Sequence, residues 1–256
     1  YYSVFSGSTG IERSMNSYLS GQSGAQFFEQ INALLDGTPV TGAAVELTID
    51  PDAQRAAWDA LGNRKGAVVA IEPATGRILA LVSKPTFDAN LLASHIYGEV
   101  VDSYRNYSEN EDDPLVNRAI SGDLYPPGSV FKLVVAAAAL ESGNFTTQSS
   151  FENLGEYVLP GTSTTIYNSG GSTCGAGERV TLETALIRSC NIPFAMLAVE
   201  LGQDRIRAQA ELMGFGDEIE IPMPVTPSVY PEGMDLAQTG LSGFGQFDVR
   251  VSPLQM

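Results

Sequence analysis

Apolar residues recur along this chain in distinct rhythms, and those rhythms predict its elements. Alternation over Ala43–Ile49 predicts a strand, and Asp50-Pro51 after it reads as a helix N-cap followed by proline at the first helical position. A helix over Asp52–Leu61 follows from that start. Two β-rich runs, Gly66–Glu72 and Arg77–Ser83, flank the turn-forming Pro73-Ala-Thr-Gly76 and predict a hairpin. Helical spacing marks about Ile11–Leu19 and Gln26–Leu35, the second closed by Asp36-Gly37-Thr38-Pro39. It returns over Ser129–Ser142, Thr181–Ser189, Pro193–Leu201, Gln203–Met213 and Met234–Thr239. Residues 84–124 carry no sustained period, and a Gly/Ser/Thr-rich stretch with short β-like pieces separates Ser142 from Thr181. Leu133–Leu140 is apolar on every face, the mark of a helix in the middle of a core.

Composition narrows the chemistry. At 256 residues and 43% hydrophobic content the chain can bury a substantial core, as one large domain or one domain plus part of another. A formal charge of −16 and a pI near 4.3 argue against nucleic acid, which is bound through clustered Lys and Arg. The longest fully apolar run, Leu133–Leu140, is far shorter than the roughly 20 residues of a membrane span. No charged and apolar signal segment opens the chain. His95 is the only histidine, so a Ser/His/Asp triad or a zinc site would have to be built on that one residue, and it reads as a surface histidine. The run Glu109-Asn-Glu-Asp-Asp-Pro114 lacks the spacing of a calcium loop and reads as a solvated loop. No glycine-rich nucleotide loop is present, and neither a metal nor another cofactor is expected.

Cys174 and Cys190 have fifteen residues between them. Two buried thiols, a redox pair and a structural disulfide all fit that spacing, and the expectation taken forward is a bridge. Closing such a loop stabilises by about 3 kcal/mol in the chain-entropy estimate.

Candidate chemistry lies at the mouth of the apolar helix. In Tyr125-Pro-Pro-Gly-Ser-Val-Phe-Lys132, Ser129 falls at the first helical turn and Lys132 one turn on, sharing its face. With no solvent face of its own, Lys132 is driven toward the neutral amine, which makes it a base beside a nucleophile. The helix start favours negative charge, so the Ser129 backbone amide is a candidate oxyanion-hole donor. A capping serine with a snorkelling lysine fits the bare spacing equally well. Ser189-Cys190-Asn191, in a turn between two helices, is the second element. Ser189 would hydrogen-bond Lys132 and relay a proton, and Asn191 would hold a substrate carbonyl and the lysine. Asn191 also fits a plain N-cap, and S-x-N recurs at Ser14–Asn16, Ser108–Asn110 and Ser142–Asn144.

Several segments in order carry a family resemblance. Leu47-Thr-Ile-Asp-Pro-Asp-Ala-Gln54, Gly66–Ala80, the Ser129 segment, Thr181–Phe194 and Gly243–Met256 resemble the transpeptidase domain of penicillin-binding proteins. Gly10-Ile-Glu-Arg13 and Tyr18-Leu-Ser-Gly21 resemble the end of the non-catalytic domain of the monofunctional, class B type. Eleven arginines against three lysines suit an actinobacterial member. The resemblance implies an α+β fold of the serine β-lactamase and penicillin-binding transpeptidase kind, an α/β-type sheet with helices on both sides plus an all-α subdomain. It divides the chain into residues 1–42, the tail of the non-catalytic domain with its linker, and 43–256, the transpeptidase domain. It implies Ser129 as nucleophile, Lys132 as base, Ser189 as proton relay and Asn191 as substrate contact. Peptidoglycan stem peptides, β-lactams and glycan-polymerising cell-wall proteins are the implied partners, and an N-terminal membrane anchor outside this segment, with the catalytic domain on the outer side, the implied location.

The chain departs from the family at the third motif, Lys-Thr/Ser-Gly. None of Lys65, Lys84 and Lys132 precedes Thr/Ser-Gly, so truncation before that strand is expected, leaving about three strands of the sheet and an exposed edge. A D,D-carboxypeptidase or serine β-lactamase would share the fold and admit water to the acyl-enzyme, while a β-lactam sensor or cell-division scaffold would keep it without turnover.

Overall fold

Phe27–Asp36 (α1) and Pro51–Leu61 (α2) form, in the computed structural model, where spacing and capping place them. The Asp50 carboxylate accepts hydrogen bonds from the amides of Asp52 (2.9 Å) and Ala53 (2.8 Å), as its position before Pro51 predicts. The structure describes residues 2, 3, 5 and 7–256. It falls into two compact units, residues up to Gly122 with Glu220–Val225, and Asp123–Ile219 with Thr226–Met256.

In the first unit the predicted hairpin is present as antiparallel strands Gly66–Ile71 (β1) and Ile78–Lys84 (β2), with Val68 opposite Val82 and Ala70 opposite Ala80. Ala80 and Val82 are buried, and α2 packs against the pair. The expected strand at 43–49 is not one. That segment runs extended, but the outer edge of β2 is already occupied: the Gln54 amide donates to Leu81 O (3.0 Å) and accepts from Leu81 N (2.8 Å). Only Thr48 Oγ1 on Ile78 O (2.7 Å) and Asp50 N on Leu79 O (2.9 Å) join the segment to β2. The sheet expected to keep three strands therefore has two, and every sheet among the described residues is two-stranded. Lys84 Nζ donates to the carbonyls of Trp58 (2.9 Å) and Gly62 (2.6 Å) and lies 3.8 Å from the centre of the Trp58 ring, closing the C-terminal end of α2.

Residues 84–124, read from sequence as irregular, contain a three-turn helix, Tyr97–Ser108 (α3). Its period rests on tyrosine and valine, poor helix formers, and only Val100 is buried. The acidic run after it is a loop, as expected, and the nearly buried Arg118 guanidinium donates to its carbonyls, including Asp113 O (3.0 Å).

The second unit is mainly helical. A 3₁₀ turn, Gly128–Phe131, leads straight into Lys132–Glu141 (α4). The short antiparallel ribbons Ser150–Glu152 (β3) with Arg179–Thr181 (β6), and Glu156–Val158 (β4) with Thr165–Tyr167 (β5), precede Leu182–Ile187 (α5), Asn191–Leu201 (α6), Gln203–Leu212 (α7) and Leu236–Ser242 (α8). Contrary to the sequence reading, α4 is not covered on all faces: Leu133 is 57% exposed and Leu140 44%. The helix wrapped nearly all round is α6, with Ile192, Phe194, Ala195, Leu197 and Ala198 fully buried. Phe131 anchors the turn before α4, stacked on Tyr230 (centroids 5.7 Å apart) and edge-on to Phe215 (5.6 Å). Among the described residues no helix is long and apolar enough to cross a membrane, and no cluster of three potential metal ligands occurs.

Candidate active site

Ser129 is held by the backbone on both sides of it. Tyr125 and Val251 exchange a pair of hydrogen bonds (2.9 Å each), and Gly128 N donates to Gly245 O (3.0 Å). Gly245 has no alternative at its position. Its φ is +72°, and a Cβ built there would lie 2.1 Å from Gly128 O. The Pro126-Pro127 lead-in is thus clamped against the 245–251 segment, and Ser129 enters the 3₁₀ turn with its hydroxyl toward Lys132.

Lys132 is completely buried and has four oxygen neighbours: Ser189 O (2.7 Å), Asn191 Oδ1 (2.9 Å), Ser129 Oγ (3.1 Å) and Ser189 Oγ (3.2 Å). None is a carboxylate. Desolvation without a compensating anion lowers its pKa from 10.5 to about 8. A neutral amine has two N–H donors and one lone pair. Ser189 O can only accept, and Asn191 Oδ1 is fixed as an acceptor because Asn191 Nδ2 donates to Tyr167 O (3.0 Å). These two oxygens occupy both donors, which leaves the lone pair for a hydroxyl, Ser129 or Ser189.

The Ser189 turn closes α5 in a specific way. Ser189 N donates to Leu186 O (3.0 Å) and Cys190 N to Ala185 O (2.9 Å), the paired bonds of a Schellman ending. The left-handed residue in that ending is usually glycine, yet here it is Ser189, with φ +54°. A side chain held there at a conformational cost marks a constrained position. Cys190 forms the disulfide with Cys174 (Cα–Cα 5.8 Å), which ties this turn to the glycine-rich loop. Asn191 is not the N-cap of α6. It is the first helical residue, Cys190 occupies the cap position without a side-chain bond, and Asn168 Oδ1 accepts from both Asn191 N and Ile192 N (2.9 Å each). The borrowed cap frees the Asn191 amide for Lys132.

An open cleft of 920 Å³ lies over these groups, lined by Gly128, Ser129, Ser189 and Asn191 together with Tyr167, Arg188, Phe244 and Phe247 among others. Residues 66–256 match the penicillin binding protein transpeptidase domain, and residues 1–45 match the penicillin binding protein A dimerisation domain. The chain belongs to the penicillin-binding protein transpeptidase family. It is 39% identical over its whole length to the peptidoglycan D,D-transpeptidase PbpA of Mycolicibacterium smegmatis, of which it covers 53%, and 32% identical over 82% of its length to MrdA of Escherichia coli, of which it covers 33%. The chain spans about half the length of the mycobacterial relatives it matches. Among solved structures, penicillin-binding protein A of Mycobacterium tuberculosis as a ceftriaxone acyl-enzyme superposes with a TM-score of 0.92 at 37% identity, over 100% of this chain and 58% of that one. The kinship with actinobacterial, class B members inferred from sequence is confirmed by these relatives, and the fold is the α+β penicillin-binding transpeptidase fold.

Within that family frame, the structure brings Ser129, Lys132, Ser189 and Asn191 into one hydrogen-bonded group and places Cys174 and Cys190 behind it. Sequence reasoning missed Asn168 and Arg188. An asparagine before Ser169-Gly-Gly171 was the available signal for the first, while nothing local distinguished the second.

Proposed function

We propose that the protein is a peptidoglycan D,D-transpeptidase that cross-links stem peptides through an acyl-enzyme on Ser129. The observation that carries this reading is the uncharged oxygen cage around Lys132, which leaves its lone pair facing the hydroxyls of Ser129 and Ser189. Neutral Lys132 takes the Ser129 proton as Oγ bonds to the penultimate D-Ala carbonyl carbon. The oxyanion faces the Ser129 amide. Collapse breaks the amide C–N bond, the proton passes through the Ser189 hydroxyl to the departing amine, and D-Ala leaves. The second N–H of Asn191 Nδ2 is open to a substrate carbonyl. An amino group from a neighbouring stem then attacks the ester, giving up its proton along the same route, and Ser129 is regenerated. One amide breaks and one forms, so the chemistry balances without a cofactor.

β-Lactams enter this scheme as acylating substrate mimics. Residues 1–42 serve as the tail of a non-catalytic domain and 43–256 as transpeptidase domain. Glycan-polymerising proteins are the working partners, and the protein is anchored in the cell membrane by an N-terminal segment with its catalytic domain outside. Among the described residues, Tyr167 and Arg188 are the ionisable side chains lining the cleft. The test is intact-protein mass spectrometry of the full-length protein with benzylpenicillin, followed over hours. A lasting adduct that Ser129→Ala abolishes is expected. Rapid turnover would make the protein a β-lactamase, and no adduct would leave a scaffold.

A further inference from the structure

Arg188 is exposed and lines the cleft beside Ser189, and neither a hydrogen bond nor an ion pair engages its guanidinium among the described residues. Its packing neighbour is Gly175. A Cβ built on Gly175 would lie 3.2 Å from both Cζ and Nε, so the guanidinium rests against a glycine that has no side chain to displace it. Gly175 follows Cys174, and the disulfide to Cys190 holds that loop two residues from Arg188. The glycine and the bridge therefore present a cation to the cleft rather than to a partner in the fold.

The setting makes that cation selective. The whole chain carries −16, a field that disfavours anionic ligands at distance, and among the described residues no Asp or Glu lines the cleft to neutralise Arg188. Lys132 is sealed beneath the floor and already has its oxygen acceptors. A planar guanidinium with free donors matches a carboxylate in two parallel hydrogen bonds.

We propose that Arg188 is a specificity-determining residue that binds a carboxylate on the side chain of the acyl donor, separate from the carboxylate next to the scissile bond. This rests on the transpeptidase reading, and the test separates the two. Benzylpenicillin and α-carboxybenzylpenicillin share the ring carboxylate and differ by one carboxylate on the side chain. In the full-length protein, Arg188→Gln is expected to lower the second-order acylation constant of the carboxylated drug about fivefold, the upper end of what one exposed ion pair contributes, and that of benzylpenicillin less than twofold. Arg188→Lys should retain part of the difference, and raising the salt should shrink it in the unmutated protein. Equal loss for both drugs, or no loss for either, overturns the proposal. If the unmutated protein is acylated by neither, the transpeptidase reading fails, and the proposal with it.

Discussion

Replacing Ser189 separates what its backbone costs from what its hydroxyl does. At φ +54° a residue with a Cβ is strained by about 1–2 kcal/mol relative to glycine, and the hydrogen bond to Lys132 Nζ (3.2 Å) offsets that by about 0.5–1.5 kcal/mol. Ser189→Ala keeps the strain and loses the bond, and should be destabilised by about 1 kcal/mol. Ser189→Gly loses the same bond but relieves about 1–2 kcal/mol of strain, less about 0.5 kcal/mol for the freer unfolded chain. The glycine variant should therefore be about 1 kcal/mol more stable than the alanine variant, or about 2–4 °C higher in Tm. Both should acylate about 10²–10⁴-fold more slowly, because the proton relay is gone from each. Scanning calorimetry and stopped-flow acylation by benzylpenicillin measure the two effects. A glycine variant that melts at or below the alanine variant would refute the strain argument, and one that acylates like the unmutated protein would remove Ser189 from the relay.

Acylation should rise with pH and reach half its maximum near 8, since Lys132 acts as the neutral amine and burial lowers its pKa to about 8; a rate that is flat from pH 6.5 to 9 would count against it. Folding stability follows with a defined sign. The folded chain releases the Lys132 proton more readily than the unfolded chain, so the penalty is full below pH 8 and is relieved as pH rises from about 8 to 10.5, which chemical denaturation across that window would detect. Gly245→Ala puts a methyl 2.1 Å from Gly128 O in a left-handed backbone, so it should cost about 2 kcal/mol or more and slow acylation by moving the serine turn; unchanged kinetics would show that the clamp does not position Ser129.

Where the chemistry is local, the sequence already shows it. Ser129 and Lys132 are three residues apart on one turn, and their helical spacing puts both on one face. Ser189-Cys190-Asn191 is equally local, and its turn between two apolar helices separates it from the other copies of the pattern. What is not legible depends on groups distant in sequence. Asn168 caps a helix that starts 23 residues later, and Gln54 takes the strand edge that the alternation of Ala43–Ile49 assigns to that segment. Alternation predicts a half-buried extended segment correctly, but it carries no information about which donors and acceptors a neighbouring side chain has already filled. The reading of α4 as a wrapped helix fails for a related reason. Apolarity on every face shows what a helix could bury, whereas cover depends on the elements packed around it, and α6 has that cover.

Gln54 also sets the direction in which the hairpin can grow. An open strand edge recruits any extended chain that presents matching amides, the usual route to unwanted assembly. On β2 the outward donor and acceptor of Leu81 are both taken by Gln54, and Leu79 O accepts from Asp50 N, the cap of α2. A strand arriving at that side would have to evict a helix start before making its first bond. Growth of the sheet is thereby directed to Gly66–Ile71, which makes the hairpin a one-sided template.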